Sequence, residues 1–289
     1  MKLLSSMTMG SLVLISLSAC HADSPAFPLT QNQLVKSVLN DMVFVKGGTF
    51  AMGQNPNAQV TLTGYYMDKY DVPYYQYKSY LVLQGQQVNQ SIGDKLPINN
   101  GMYPAWINYQ QASSFCQWLS QKTNLPFALP TEAQWEYAAR SRGQNVQYST
   151  DDGTLKPGIN LPNYQDFLGN INGYTSISYV KVNAFPPNPL GMYLMNGNSA
   201  EWTQNWYGPL PNSPEKNPTG PASGIYKVVR GTDISDIMDS FDPRNSPDEQ
   251  AYHKTALSVY NRSWAPAGGK YPALLFRCVI NSDKPLPKL

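Results

Sequence analysis

The chain has 289 residues and a formal net charge of +2 at pH 7, and only 14% of its residues are charged, against roughly 25% in an average soluble protein. A nearly neutral chain cannot supply the dense cationic contacts to phosphates on which nucleic-acid binding depends, so we expect no nucleic-acid partner. Beyond the N-terminal segment, no stretch reaches the ~18 uncharged apolar residues that a membrane-spanning helix requires.

The N-terminal segment has the pattern of a secretory signal. One charged residue, Lys2, precedes an apolar stretch that closes with Leu-Ser-Ala-Cys at positions 17–20. These four residues resemble a bacterial lipobox, in which cleavage leaves Cys20 as a lipid-modified N-terminus. We therefore expect a signal peptide over residues 1–19 and a lipid on Cys20 as the only membrane anchor; the alternative is a plain signal peptide followed by an unpaired thiol. By the same resemblance, His21 in the next position favours the outer membrane over the inner one.

Residues 20–41 are expected to form a tether followed by a short helix. Thr30 is a candidate N-cap, and Leu34 and Val38 lie on one apolar stripe at helical spacing. We expect the folded domain itself to cover residues 42–289.

Two further helices are predicted near the middle of the chain. Asn108 can cap a helix in which Cys116 belongs to the apolar face, so Cys116 should point into the core. Thr131 and Gln134 have the spacing of a capping box at the start of the second helix. Gly143 is expected to end that helix.

The remaining segments read as short strands and long polar loops. Residues 43–53 have the pattern of a strand, a turn and a second strand. No internal repeat is present. With only two helices predicted after residue 42, the pattern indicates one domain of α+β class with little regular secondary structure.

Two blocks of sequence carry a family resemblance. Residues 129–140 read Leu-Pro-Thr-Glu-Ala-Gln-Trp-Glu-Tyr-Ala-Ala-Arg, and residues 185–202 end in Met-Asn-Gly-Asn-Ser-Ala-Glu-Trp. They resemble the two signature segments of the formylglycine-generating enzyme (sulfatase-modifying factor) family, and the resemblance extends over about residues 42–280. It implies a single domain with a C-type-lectin-like fold. Catalytic members of that family oxidise a cysteine of a client protein with a copper ion held by two cysteines.

The catalytic cysteine pair of that family is missing from this sequence. The resemblance would place both thiols after Arg230 and Gly231, yet the next cysteine in the chain is Cys278. Copper bound by thiolates needs soft sulfur ligands near the substrate. We therefore expect that copper is not bound and that the oxidase chemistry has been lost.

Cys116 and Cys278 remain once Cys20 is lipidated. An even pair in an exported chain suggests a disulfide, with two buried free thiols as the alternative. The resemblance also favours a disulfide, because members of the family have a structural bridge at both positions. Closing a loop of about 160 residues would stabilise the fold by about 4 to 5 kcal/mol in the chain-entropy model, as an upper figure.

Counting ligands removes other reaction classes. An iron site of the two-histidine, one-carboxylate type needs two histidines, and the chain has only His21, beside the lipid, and His253. No Gly-x-Ser-x-Gly segment is present to position a serine nucleophile, and the usual zinc spacings of Cys and His are absent. Calcium remains possible because hard cations bind carboxylate, amide and carbonyl oxygens.

The resemblance implies two weakened calcium sites. The ligands it implies for the first ion are the side chains of Asn160 and Asn172, the latter in place of an aspartate, and the carbonyls of Leu161 and Tyr174. Those implied for the second ion are the carbonyls of Gly197 and Ser199 and the carboxylate of Glu201, while Leu194 replaces an Asp or Asn. Each lost carboxylate lowers calcium affinity. The alternative role for Glu201 is a buried carboxylate that accepts hydrogen bonds from backbone amides.

Two groups of polar and aromatic residues follow the missing cysteine segment. Aspartates recur at every third position, at Asp233, Asp236, Asp239 and Asp242. If this stretch is a loop over the former active site, they form an acidic rim that either meets a basic partner or stays solvated. Aromatic and hydrogen-bonding side chains follow at Tyr252, His253, Tyr260, Arg262 and Trp264. Such residues dominate binding hot spots, although many aromatics could equally belong to the core.

The leading hypothesis is a lipid-anchored envelope protein that uses this scaffold for binding. It would act as an accessory or immunity-type partner. The protein that it binds would belong to a secretion system or be another periplasmic protein. One alternative is an oxidoreductase that modifies a cysteine or another side chain of a client protein or a siderophore. A third hypothesis is a surface-displayed, lectin-like ligand-binding protein.

Overall fold

In a computed structural model the chain is described over residues 28–86, 102–171, 174–268 and 274–286. The helices are α1 (Gln31–Asp41), α2 (Tyr74–Leu83), α3 (Tyr109–Thr123), α4 (Glu132–Ala139), α5 (Ile234–Ser240) and α6 (Pro247–Ala256). The strands are β1 (Met42–Val45), β2 (Gly48–Ala51), β3 (Gln59–Leu62), β4 (Tyr65–Asp68), β5 (Phe127–Ala128), β6 (Leu168–Ile171), β7 (Tyr174–Ile177), β8 (Glu201–Trp206), β9 (Glu215–Lys216), β10 (Tyr226–Arg230), β11 (Arg262–Pro266) and β12 (Val279–Ile280). None of the helices in these ranges has the length and apolar composition needed to cross a bilayer.

The first helix belongs to the folded domain. Thr30 caps α1 through a capping box with Gln33, as expected. Leu34 and Val38 are completely buried, and α1 packs against α2 and α3. The apolar stripe of α1 therefore forms part of the main core, although it precedes residue 42, where the domain was expected to begin.

A four-stranded antiparallel sheet joins the two ends of the domain. Its strand order is β1-β4-β12-β5, so β12, from the end of the chain, lies between strands from its beginning and its middle. The disulfide between Cys116 on α3 and Cys278 beside β12 holds the main core against this sheet.

The other sheets are smaller. One has the order β11-β10-β8 with antiparallel pairing, and another has the order β2-β3-β9; β6 and β7 form a two-stranded ribbon. Helix α4 packs against β8 and β10. The two sequence blocks that carry the family resemblance therefore meet in the structure, since α4 lies in the first block and β8 begins at the end of the second.

The predicted caps of α3 and α4 are both present. Asn108 and Thr131 each form a capping box with the residue three positions later. The prediction for the end of α4 was wrong by one turn. The helix stops at Ala139, and the chain turns through Ser141, Arg142 and Gly143 at φ values of +47°, +70° and +73°. A Cβ at Gly143 would lie 2.4 Å from the Cβ of Phe50, so the turn requires glycine there.

Three helices were not predicted. Helix α2 follows Pro73 without a side-chain cap and is stabilised by burial of Tyr77 and Tyr80 in the core. The stretch expected to form a loop after Thr232 instead forms α5 and α6. Asp233 caps α5, and Ser246 starts α6 through a capping box with Glu249.

Candidate functional site

A cleft of about 450 Å³ lies between the β8-β10-β11 sheet and helices α5 and α6. Its lining residues are Ala200, Val229, Gly231, Asp233, Asp236, Tyr252, Thr255, Ala256, Asn261, Arg262, Ser263, Trp264, Ala265 and Leu274. We refer to it as the cleft. It opens at the point where β10 ends, which is where the family resemblance would place the catalytic thiols.

The sheet provides an apolar floor. Val229 on β10 and Ala265 on β11 are almost fully buried, and they lie near the centre of the three-stranded sheet. Gly231 follows β10 at φ +88°, and a Cβ there would lie 3.3 Å from the carbonyl oxygen of Met195 and 3.4 Å from that of Ser199. A glycine at this position lets the chain turn away from the sheet toward α5.

Five of the residues predicted to bind a partner line the cleft: Asp233, Asp236, Tyr252, Arg262 and Trp264. Two others, His253 and Asp239, lie just behind the cleft wall. His253 Nδ1 is 2.9 Å from Asp236 Oδ1, and His253 Nε2 is 3.9 Å from Asp239 Oδ2. These contacts tie α6 to α5 and orient the Asp236 carboxylate.

The predicted acidic rim is shorter than expected. Asp242 is 4% exposed and lies past the end of α5, where its carboxylate accepts hydrogen bonds from Arg244 Nε at 2.9 and 3.0 Å. Asp233, which caps α5, and Asp236, in its first turn, line the cleft, whereas the helix ends at Ser240 and Asp242 belongs to the turn that follows it.

Two exposed aromatic side chains, one from α6 and one from β11, form an aromatic rim of the cleft. Tyr252 on α6 is 72% exposed and Trp264 on β11 is 49% exposed. The Trp264 ring lies against Tyr226, with ring centroids 4.2 Å apart. Because so much of Tyr252 and Trp264 faces solvent, packing of the hydrophobic core does not explain why large aromatic residues stand at these two positions.

Arg262 has a structural partner beneath the cleft. Its Nε and Nη2 lie 2.7 and 2.8 Å from the two carboxylate oxygens of Glu132, and its Nη1 donates to the carbonyl of Gly208. Arg230 also contacts Glu132, at 2.8 Å. Burial alone would raise the pKa of Glu132, but hydrogen bonds from Arg262 and the charge of Arg230 lower it below its usual value. Arg262 is therefore not a free cation for a ligand.

The residues expected at the first calcium site are only partly described. Asn160 Oδ1 accepts a hydrogen bond from the Lys156 amide at 2.8 Å, and the Leu161 carbonyl accepts one from Gly158 at 2.8 Å. Asn172 lies outside the described residues, and only the backbone of Tyr174 is described, at the start of β7. Calcium binding at these residues stays a prediction.

Glu201, expected at a second calcium site, is bound to other side chains. Its two carboxylate oxygens accept hydrogen bonds from Arg277, and Oε2 also accepts one from Trp135 Nε1 at 3.0 Å. The partners are thus a guanidinium and an indole rather than backbone amides. Calcium binding by Glu201 stays a prediction, and an ion there would have to share the carboxylate with Arg277 and Trp135.

The other residues of that expected site lie in a tight turn. Gly197 donates its amide to the carbonyl of Leu194, and Leu194 has a φ of +53°. Ser199 is almost buried beside Gly231. Within the described residues, no three side chains of His, Cys, Asp or Glu lie close enough together to hold a metal ion.

A group of buried carboxylates beside Glu201 was not predicted. Asp68 and Asp71 both lie near Arg277, with Asp71 Oδ1 3.5 Å from its Nη2. Burial raises the pKa of Asp68 to about 8, although a hydrogen bond from the Cys278 amide opposes the rise. Burial and the charge of Glu201 raise the pKa of Asp71 well above its usual value. Asp68 and Arg277 are 209 positions apart, so no local sequence pattern could have indicated this group.

The thiols are unavailable for chemistry. Cys116 and Cys278 are joined in a disulfide, and both are completely buried. No Cys, Met or His is among the residues that line the cleft. The donor set therefore does not fit copper, which needs soft sulfur or imidazole ligands.

Comparison with known proteins gives the family. The sequence matches the family described as Sulfatase-modifying factor enzyme 1-like domain over residues 27–282. The formylglycine-generating enzyme of Mus musculus is 24% identical over 251 residues, which cover 67% of this chain and 66% of that one. Chaperone protein LppX of Paenibacillus barcinonensis is 25% identical over 228 residues, which cover 62% of this chain and 76% of that one.

Longer proteins share the same domain. Serine/threonine-protein kinase pkn1 of Chlamydia pneumoniae is 26% identical over 222 residues, or 67% of this chain, yet this chain spans only about a third of that protein, 33%. The solved structure of Treponema denticola variable protein 1 superposes with a TM-score of 0.59 at 22% identity, covering 83% of this chain and 95% of that one, and shows the same fold. With the match to residues 27–282, the chain belongs to the sulfatase-modifying factor enzyme 1-like domain family.

Proposed function

We propose that this chain is a binding protein of the bacterial envelope, which holds a segment of a partner protein in the cleft without oxidising it. The observation that carries the proposal is the composition of the cleft. Where the family resemblance would place two thiols, the cleft presents exposed aromatic rings from Tyr252 and Trp264 and carboxylates from Asp233 and Asp236.

The chemistry of these residues favours binding over oxidation. Thiol oxidation by copper needs sulfur ligands at the site, and the two thiols of the described chain are held in a disulfide. Large aromatic side chains beside polar groups are instead typical of residues that contribute most to protein binding. The apolar floor at Val229 and Ala265 would be covered by the ligand.

One relative supports an accessory role. LppX is named a chaperone protein, and a chaperone acts by binding another polypeptide. An accessory or immunity-type protein needs the same ability, which is to hold a segment of a partner in place. We therefore propose that the partner is a protein that is secreted or resides in the envelope.

The location follows from the N-terminal sequence. We propose that Cys20 carries a lipid after removal of residues 1–19 and that the outer membrane holds the anchor. The 7 residues from His21 to Phe27, together with the lipid, would then act as a short tether to the domain. Residues 1–20, which include Cys20, lie outside the described part of the chain.

A second candidate is the binding of a small ligand in the manner of a lectin-like receptor. The size of the cleft favours it, since about 450 Å³ lies within the 300 to 1,000 Å³ usual for small-molecule sites. Both candidates place the ligand in the same cleft. They differ in whether the bound molecule is a polypeptide.

Photocrosslinking in intact cells tests the proposal. A photoreactive benzoylphenylalanine replaces Tyr252 in one variant and Ile159, which is 66% exposed and outside the cleft, in a matched control. We expect position 252 to form an adduct with one polypeptide, whose crosslinked peptide is identified by mass spectrometry, and position 159 not to form it. No adduct from position 252, or the same adduct from both positions, would contradict protein binding in the cleft.

A further inference from the structure

We propose that the cleft recognises a basic side chain, a Lys or Arg of the partner protein, through the Asp233 and Asp236 carboxylates and the rings of Tyr252 and Trp264. This inference rests on the proposed function and identifies the chemistry of the segment that is bound. The residues that carry it belong to the stretch where the chain departs from the family pattern, after Gly231.

The charge of the cleft is negative. Asp233 and Asp236 contribute two carboxylates to its lining. The one cation among the lining residues, Arg262, is bound through both oxygens of Glu132, a carboxylate that Arg230 also contacts. The two aspartates outnumber this cation in the lining, so the cleft favours a bound cation over an anion.

Each carboxylate has one oxygen available. Asp233 Oδ1 accepts hydrogen bonds from the amide and the hydroxyl of Ser235, at 2.9 and 2.7 Å. Asp236 Oδ1 lies 2.9 Å from His253 Nδ1. The Oδ2 atoms of both residues make no hydrogen bond with the described part of the chain, so they can accept from an ammonium or a guanidinium.

The aromatic rim suits the same ligand. A cation within about 6 Å of a ring centroid is attracted to the face of a Trp or Tyr ring, and the aliphatic part of a Lys or Arg packs on the ring as well. Tyr252 and Trp264 present large exposed areas for this contact. A purely apolar ligand would cover the two carboxylates without replacing their hydrogen bonds to water, which costs free energy.

Binding of model peptides tests the inference. The probes are a five-residue lysine peptide, acetyl-Gly-Gly-Lys-Gly-Gly-amide, and the same peptide with an acetylated ε-amine. The protein is the chain from residue 20 with Cys20→Ser, which keeps every described residue, and binding is followed by the NMR signal of the Trp264 indole. We expect the lysine peptide to bind at least tenfold more tightly than its acetylated form, and equal binding would overturn the inference.

Charge-neutral variants assign the effect to the two carboxylates. Asp233→Asn keeps the helix cap, because Asn caps helices as well as Asp does. We expect the double variant Asp233→Asn, Asp236→Asn to weaken lysine-peptide binding at least fivefold. Asp283→Asn is the matched control. Asp283 lies beside Gly64 and is not among the cleft residues, so this variant should bind the lysine peptide as tightly as wild type. A fivefold loss in the control, or none in the double variant, would contradict the assignment.

Further outcomes distinguish a failure of the basic-side-chain inference from a failure of the proposed protein-binding function. n-Butylamine supplies the same ammonium group without a peptide. If n-butylamine binds as tightly as the lysine peptide, the cleft selects a small amine instead of a protein segment, which contradicts the inference. If the lysine peptide fails to bind while position 252 still crosslinks a polypeptide, the basic side chain is ruled out and the proposed function stands. If both experiments fail, the proposed function fails with the inference.

Discussion

The carboxylate of Glu201 and the guanidinium of Arg277 form a bidentate ion pair in the interior, with Nε–Oε2 at 2.7 Å and Nη2–Oε1 at 2.8 Å. Neither side chain is exposed by more than 1%. Arg277 also donates to the backbone carbonyls of Asp68 and Tyr193. The pair therefore connects β8 to the segment that precedes β12 and fixes the sheet on which the cleft is built.

Replacing Glu201 with Gln should destabilise the fold on the order of 3 kcal/mol, because it leaves the buried charge of Arg277 without its main partner. Urea unfolding measures the change. Glu215→Gln, at an exposed position on β9, is the matched control and should stay within about 0.5 kcal/mol of wild type.

The same variant tests the role of Glu201 toward calcium. We expect EDTA to change the melting temperature of wild type and Glu201→Gln by the same amount, whatever that amount is, because both carboxylate oxygens already accept hydrogen bonds from Arg277 or Trp135. A melting temperature that EDTA lowers in wild type but not in Glu201→Gln would show that Glu201 binds a cation.

The disulfide gives a second prediction. Replacing Cys116 and Cys278 together with Ser opens a covalent loop between residues 162 positions apart. We expect the free energy of unfolding to fall by about 2 to 5 kcal/mol, because the unfolded chain regains conformational freedom. Unfolding of wild type with and without a reducing agent should show a loss of similar size. A double variant as stable as oxidised wild type would contradict this role of the bridge.

Asp68 predicts how stability depends on pH. Burial raises its pKa to about 8 in the folded protein, while an unfolded aspartate titrates at about 3.9. Between these values the folded state holds one proton more than the unfolded state. The stabilising contribution of Asp68 to the free energy of unfolding is therefore fully present below about pH 4 and is lost as the pH rises toward 8.

The variant Asp68→Asn isolates this effect. The amide oxygen of Asn can still accept the hydrogen bond from the Cys278 amide, but it cannot ionise. We expect the free energy of unfolding of the variant to fall less steeply than that of wild type between pH 5 and pH 8. Asp248→Asn, at an exposed position, should keep the wild-type slope. Parallel curves for wild type and Asp68→Asn would count against a protonated Asp68.

Helices with local signals were readable from the sequence, and contacts between distant residues were not. Thr30, Asn108 and Thr131 each cap a helix through a residue three positions away, so a short window of sequence contains the whole motif. Ser246 makes the same motif at α6, but α6 has no buried residue and so lacks the apolar stripe that completes a helix prediction. The capping box at the start of α6 was thus present in the sequence but insufficient to predict the helix.

The cleft was partly predictable for a related reason. Tyr252 and Trp264 stood out by residue type, and Asp233 and Asp236 by spacing, but their meeting depends on the pairing of β10 with β11 and on the packing of α5 against α6. The commitment of Arg262 to Glu132 joins residues 130 positions apart. Sequence spacing carries no information on such a contact, so the sequence indicated Arg262 only as a candidate binding residue and not as a partner of Glu132.

Substitutions at the aromatic rim should separate binding from stability. Tyr252→Ala removes a mostly exposed ring and should leave the melting temperature nearly unchanged while it weakens binding of the lysine peptide. Trp202→Ala, at a completely buried position, should instead cost about 3 to 5 kcal/mol. Thermal melting and the NMR titration together distinguish the two classes. A large loss of stability in Tyr252→Ala would mean that its ring serves the fold.

The sharpest test of the binding function is a competition titration of the soluble chain with Cu(I) against a chelator of known affinity. With Cys116 and Cys278 in a disulfide and no sulfur in the cleft, we expect the chelator to keep the copper at every protein concentration. Copper held tightly by the protein, together with oxidation of a thiol peptide under oxygen, would contradict the assignment of this chain as a binding protein.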